Sequence, residues 1–286
     1  MSTSRGPSVR QRRLAAELRR LRERRGLTGD DVADRLAWST AKVSRLENAR
    51  TGAKIDDVRR LLELYEVDGP RHADLISLAQ DAAQRGWWEE YRDLPGSLAD
   101  FIALESEAGT IRQWEGNSVP GLLQTRAYAR QVIEGYNDIS TMPPQEIDRR
   151  VEVRVRRQEV LHGPHPPQLA LVIDEAVLKR RVGDDKVMRE QLDQMLLASD
   201  VPQVTLQILP LDTPRRVMAD SFTILEFPAA HDVVFPDIVH TESITISHLV
   251  DEHVTYMYRL AHNSLASQAL DPVETRRRII EARALW

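Results

Sequence analysis

A chain of 286 residues is comfortable for two domains and long enough to bury a sizeable core. Hydrophobic residues at 42% and charged residues at 29% describe a soluble globular protein, and no apolar run approaches the ~20 residues that a bilayer span requires. Zero cysteines exclude disulfides and thiolate metal sites, and the net charge of −5 conceals an asymmetry: residues 1–60 hold 16 Lys and Arg against 8 Asp and Glu, a balance of +8, and the remainder carries −13.

A basic head on an acidic body is expected where only the head meets a polyanion. The N-terminus, MSTSRGPSVRQRR, is basic but lacks the apolar segment of a secretory signal, and with the missing cysteines this gives a cytoplasmic expectation. Residues 1–8 read as a loose arm. A first helix is predicted from about Ser8 to Arg25, with Leu14, Leu18 and Leu21 as its buried stripe and Gly26 as its C-terminal cap. Thr28 caps a second helix, Asp31 suits the positive end of its dipole, and Val32 and Leu36 share a face.

A break follows at Ala37-Trp38, and Ser39 caps a third helix whose inward face is Val43 and Leu46. That leaves Thr40, Ala41, Lys42, Ser44 and Arg45 on the other side. Short polar groups, a methyl and two cations suit base edges and phosphates in a major groove. The bland alternative is a helical hairpin with a solvated charged face. Gly52 marks a loop; Ile55, Val58, Leu62 and Tyr65 then predict a fourth helix, and Leu75, Leu78, Ala79 and Ala82 a fifth beginning near Pro70. Residues 1–85 thus read as a compact all-α DNA-binding domain.

The run LRRLRERRGLT, then VADRL, then KVSRLENAR and an amphipathic fourth helix resembles the phage-repressor-like helix-turn-helix family, often called XRE. The resemblance implies an ion pair between Arg22 and Glu47, base contacts from Thr40, Ala41 and Arg45, and phosphate contacts from Asn48 and the start of the second helix around Gly29. Two positions depart from the pattern, with Ala37 at the turn glycine and Ala49 at the glycine after the recognition helix. A left-handed backbone at either would cost about 1 kcal/mol more than with Gly.

From Gly86-Trp87-Trp88 onward, four signatures resemble the actinobacterial, WhiJ-type, antitoxin-like subset of these regulators: Trp87-Trp88, Leu104 to Ala108, Val119 to Thr125 and Asp174 to Leu178. The resemblance implies a large C-terminal domain of unassigned biochemistry, controlled by a small partner protein encoded nearby. His240 departs from it, standing where the family commonly carries Tyr.

Within residues 86–286, Ser97 to Ala108 reads as helix, and Thr125 caps a helix carrying Tyr128, Val132 and Tyr136. IDRRVEVRVRRQEVL reads as one helix with a basic face, and HGPHPP as a linker. The period then changes. Leu169 to Ile173 is a continuous apolar run; Val204, Leu206 and Ile208 alternate with polar residues, as do Ile244 and Ile246. Phe222 to Phe227 and Val233 to Val239 read as two further strands, and Met188, Leu192 and Met195 mark a helix. Two helices close the chain, the first with Val254, Met257, Tyr258, Ala261 and Leu265 on one side. The fold class expected is α+β, an all-α head followed by a domain with a small, mostly antiparallel sheet.

Several chemistries are weighed. Five of eight histidines lie between 231 and 262, but His248 and His253 do not share a helical face and no His-Glu-x-x-His pattern exists, so surface histidines and no metal are expected. Glu105 and Glu107, two apart on a helix, point about 200° from each other and do not converge as an acid-base pair. Nucleophile-elbow and phosphate-loop patterns are absent, so no catalytic residue, enzyme activity or cofactor is expected. Trp87, Trp88, Tyr91, Trp114 and Tyr128 are a candidate ligand pocket or, alternatively, core packing. The arginines from Arg149 to Arg157 suit nucleic acid or an acidic partner, or else form a solvated face.

The expectation is a sequence-specific transcriptional regulator acting as a dimer on a palindromic operator. Arg45 is expected at a base, with Thr40 and Ala41 reading neighbouring positions; Ser39, Lys42, Asn48 and Arg50 hold phosphates, and Ser44 lies on the same face. The C-terminal domain is a sensor and assembly module answering to a small partner protein or, alternatively, to a small-molecule effector.

Overall fold

The computed structural model describes residues 7–84, 86–91, 94–229, 235–242, 247–250 and 252–286. The chain forms two compact units, Met1–Glu107 with Phe227–Phe235, and Ala108–Glu226 with Pro236–Trp286.

The first unit is helical: α1 Val9–Arg24, α2 Gly29–Leu36, α3 Thr40–Glu47, α4 Ile55–Leu64, α5 Gly69–Ala83 and α6 Gly96–Glu105. Local chemistry sets the ends. Ser8 and Gln11 form a reciprocal capping box on α1, as do Thr28 and Asp31 on α2. Gly26, at φ 67, supplies the left-handed residue after α1. Leu14 and Leu18 of α1 pack with Val32, Val43, Leu46, Val58, Leu62 and Leu75 into one buried cluster. A buried carboxylate, Glu17, tightens this bundle. Burial works against the charge of Glu17, but hydrogen bonds from Arg20 and Arg71 outweigh it and hold its pKa below the ordinary value.

The second unit is built on a six-stranded sheet of β1 Thr110–Glu115, β2 Gln168–Asp174, β3 Val204–Leu209, β4 Phe222–Glu226, β5 Ile238–Glu242 and β6 Ser247–Val250, in the order β3-β2-β1-β4-β5-β6. β1, β2 and β3 run parallel, whereas β1-β4, β4-β5 and β5-β6 pair antiparallel. Antiparallel pairings therefore predominate, three to two. Helices α7 Arg126–Glu134, α8 Pro144–Arg157, α9 Glu175–Lys179, α10 Asp185–Ala198, α11 Glu252–Ala266 and α12 Pro272–Arg283 complete the unit. One sheet face buries Trp114, Val172, Phe222, Ile224 and Val239 with Leu265 of α11.

Four expectations need correction or relocation here. Strand β1 was not anticipated, because TIRQWE alternates neither cleanly nor for long. The strand read over Val233 to Val239 is observed at Ile238–Glu242, and Val233, Val234, Ile244 and Ile246 lie outside the described residues. Tyr136 falls beyond α7 and is exposed, so it does not extend the buried stripe of Tyr128. On α11 the expected side holds in its second half, with Leu265 buried and Tyr258 and Ala261 packed against the same cluster, but Val254 and Met257 are 40% and 63% exposed, and Thr255 and His262 are buried as well. The polar residues tolerate this because His262 Nε2 lies 3.2 Å from the carbonyl of Ala170, a sheet partner that no helix periodicity announces. His262 is accordingly not a surface histidine.

Candidate nucleic-acid interface

The turn between α2 and α3 is tight because Ala37 adopts a left-handed conformation (φ 52), after which Trp38 N donates to Ala33 O at 2.8 Å. Ser39 caps α3, its Oγ accepting from Lys42 N at 3.2 Å. Val43 and Leu46 anchor α3 to the bundle at 2% and 5% exposure. Thr40, Ala41, Ser44, Arg45, Asn48 and Arg50 are all exposed. Ala49 repeats the left-handed turn, at φ 51, and the chain leaves the helix there.

A second tie fixes the pitch of α3. Arg22 Nε and Nη2 reach Glu47 Oε1 and Oε2 at 2.7 and 2.9 Å, and Arg22 Nη1 reaches Leu27 O at 2.7 Å. The fork-to-fork geometry is well shielded from water, and the hydrogen bonds that Arg22 donates to Glu47 hold the guanidinium charged, raising its pKa.

The outward residues differ in readiness. Among the described residues, the side chains of Arg45 and Arg50 make no hydrogen bond or ion pair, and both residues are exposed. Thr40 Oγ1 donates to Asp30 Oδ1 at 3.0 Å, and Asn48 Nδ2 donates to Ser44 O at 2.7 Å. Lys42 is committed: its Nζ lies 2.7 Å from Asp57 Oδ1 and 3.7 Å from the centre of the Trp38 ring. Gly29 opens α2, where the free backbone N–H groups and helix dipole suit a phosphate. Sequence reasoning passed over Lys54, an exposed cation at the N-cap of α4, four positions beyond Arg50. Only its place in a loop after a predicted recognition helix would have signalled it.

Against protein-family models, residues 13–75 match a family described as Helix-turn-helix domain, and residues 98–281 match one described as Domain of unknown function (DUF5753). The chain belongs to the DUF5753 family. Its helix-turn-helix domain supports a DNA-binding regulator rather than an enzyme, while its C-terminal domain is of unknown function. No curated protein and no solved structure matches the chain.

The remaining candidates of this DUF5753 chain fall into place separately. Trp87 meets Trp88 and Tyr91 edge to face, each pair with ring centres 5.9 Å apart, beside a cavity of about 310 Å³ in the first unit. Trp114 and Tyr128 belong to the second unit and are closed into it. Trp114 Nε1 donates to Ala219 O at 3.1 Å, and Tyr128 Oη accepts from Val119 N at 3.3 Å. The five aromatic residues therefore do not gather in either unit as one pocket. Glu105 is buried and engaged, whereas Glu107 lines the cavity 3.4 Å from Arg10, where burial pushes its carboxyl up to about 7.

The arginines of α8 turn out to be largely engaged. Arg150 reaches Glu146 at 2.6 Å, Arg154 reaches Gln124 Oε1 at 3.0 Å, and Arg149, Arg156 and Arg157 have partners of their own. No three His, Asp or Glu side chains gather as a metal set among the described residues, and the side chains of His248 and His253 lie outside them. No helix among the described residues is long and apolar enough to cross a membrane.

Proposed function

We propose that the chain is a sequence-specific transcriptional regulator of the XRE type, dividing functionally near residue 85 into a DNA-binding head and a controlling C-terminal domain. One observation carries the reading: α3 is fixed on its inner side by Val43, Leu46 and the Arg22–Glu47 fork, and presents an uncommitted Arg45 outward. In this proposal Arg45 forks a guanine edge, Thr40 and Ala41 read adjacent bases, and Ser44 lies alongside. Ser39, Asn48, Arg50, Lys54 and the N-terminus of α2 at Gly29 fix the register on phosphates. Lys42 contributes differently from a simple phosphate clamp, by neutralising Asp57 where DNA approaches.

Two heads, one on each half of a palindrome, give the dimeric mode of binding. Selection of bound sequences from a random DNA pool tests this directly. An enriched palindrome supports specificity and symmetry together, and recovery of no consensus at low salt defeats the reading. For control of the C-terminal domain, the WhiJ-type resemblance favours a small partner protein in an antitoxin-like arrangement, tested by co-purification from the source cells. A second reading, control by a small-molecule effector, is favoured by the half-buried, oppositely charged side chains of Glu115 and Arg154, which lie near each other in the second unit.

A further inference from the structure

Strand β3 is the outer strand of the parallel half of the sheet, so one side of its backbone has no strand beside it. The register fixes which residues face that side. Leu169 N donates to Gln203 O at 2.8 Å, while Leu169 stands opposite Val204. In a parallel ladder this commits Thr205, Gln207 and Leu209 to β2 and turns the N–H and C=O groups of Val204, Leu206 and Ile208 outward. Two neighbours agree: Ile208 O accepts from Leu270 N at 2.9 Å, and Ile208 N donates to Thr275 Oγ1 at 3.1 Å.

The unpaired groups of an outer strand are normally blunted or covered. Here the cover is incomplete. Ile208 is closed by Leu270 and Thr275, and Val204 N donates to Val201 O at 2.9 Å. Among the described residues, nothing pairs with Leu206 N, Leu206 O or Val204 O. Leu206 is nevertheless only 3% exposed and Val204 9%. A buried backbone N–H and C=O left open together is a rare arrangement in a folded protein.

These groups border a cavity of about 300 Å³ between β3, the residues after α10 and the start of α12. Pro272 and Val273 give it an aliphatic wall, and Val273 is 77% exposed. Arg276 also lines the cavity, but it is spent on Leu196 O, Ser199 Oγ and Asp200 Oδ1, at 3.1, 3.0 and 2.9 Å. The recess therefore offers a donor and an acceptor spaced as on a strand, an aliphatic wall and no spare charge. That is the chemistry of another strand rather than of an ion. A second copy of this edge does not fit it: with Ile208 closed and α12 alongside, the open run is too short for two folded sheets to join. One extended segment of chain does fit.

We propose that the outer edge of β3 takes an extended, uncharged aliphatic peptide segment of a partner protein, which exchanges backbone N–H···O bonds with Leu206 and lays a side chain against Pro272 and Val273. The proposal rests on the partner-protein reading of the C-terminal domain and names where such a partner engages. It is tested with synthetic peptides, so a partner can still co-purify where the peptide site fails, and the two failures are distinguishable.

The immobilised full chain is panned against a phage-displayed library of random octapeptides, and enriched peptides are synthesised for fluorescence anisotropy. The expected result is enrichment of Val, Ile or Leu at alternate positions. N-methylation of one central peptide amide weakens binding at least tenfold, and methylation of the amides on either side of it does not. Val273→Lys, a change at an exposed position, weakens binding at least tenfold, whereas Ile280→Lys, also exposed on α12, leaves it unchanged.

Amide exchange in the unaltered protein keeps the test independent of any variant. With saturating peptide, exchange at Leu206 N–H slows at least tenfold, and Thr205 and Gln207, already bonded to β2, change less. No enriched peptide, indifference to N-methylation at every amide, full affinity in Val273→Lys or unchanged exchange at Leu206 overturns the proposal. A changed oligomeric state in Val273→Lys, read by light scattering, gives the edge to a second copy and overturns it as well.

Discussion

Helices α3 and α8 both read as basic faces in the sequence, and the fold treats them oppositely. On α3 two ionic ties are spent within the bundle, Arg22 with Glu47 and Lys42 with Asp57, and Arg45 stays exposed and uncommitted. On α8 the arginines themselves are committed: Arg150 to Glu146 on its own helix, Arg154 to Gln124, and the others to partners as well. A count of cations is therefore a poor guide to a polyanion site. What matters is which cations remain unspent after the fold has satisfied its own carboxylates and carbonyls, since a spent guanidinium must first give up a bond.

The heaviest test of the contrast removes the tie that aims α3. Glu47→Ala leaves Arg22 shielded from water without its carboxylate, and the expected loss is about 3 kcal/mol of folding stability. Urea unfolding of the full chain measures it, and a loss under about 0.5 kcal/mol would mean that the fork is ornamental. Glu47→Gln, which keeps one acceptor, should recover part of the loss.

The next test compares the two helices directly. Arg45→Ala should cost about 1–3 kcal/mol on the selected operator and relax specificity at one base pair. Folding stability should move by less than ~0.5 kcal/mol, because the side chain is solvent-exposed. Arg150→Ala removes a half-exposed pair on α8 and should leave operator affinity unchanged. Equal losses at the two positions, measured by fluorescence anisotropy at fixed salt, would erase the distinction between them.

What was legible in the sequence follows the range of the interactions. The first five helices could be read because their signals are local: Ser8, Thr28 and Ser39 bond to backbone within three residues, and Val43 and Leu46 lie at helical spacing. The Arg22–Glu47 tie spans 25 positions and was accessible only through resemblance. Lys42 was read as free because Asp57, 15 positions on, carries no local mark as its partner. In the second unit the losses are larger. The buried face of α11 depends on a sheet carbonyl 92 positions away, and the polar row of Gln113, Thr223 and His240 arises only when β1, β4 and β5 are set in register. Residues that look like an uninformative TIRQWE and a stray histidine become neighbours by topology alone.

The smallest effect tests the turns that flank α3. Ala37 and Ala49 occupy left-handed backbone at φ 52 and 51, where Cβ crowds the following carbonyl at a cost of about 1–2 kcal/mol. Glycine removes that cost but brings a more flexible unfolded chain, which offsets roughly half of it. Ala37→Gly, at an exposed position, should therefore stabilise the fold by about 0.5–1 kcal/mol. Ala49→Gly should give less, because the methyl of Ala49 is buried and some packing is lost with it. No matching gain is expected from glycine at Ala41, which lies in regular helix on the exposed face and should instead lose about 1 kcal/mol. Thermal unfolding of the three variants orders them, and a gain at Ala41 equal to that at Ala37 would show that the turn conformation is not what limits this segment.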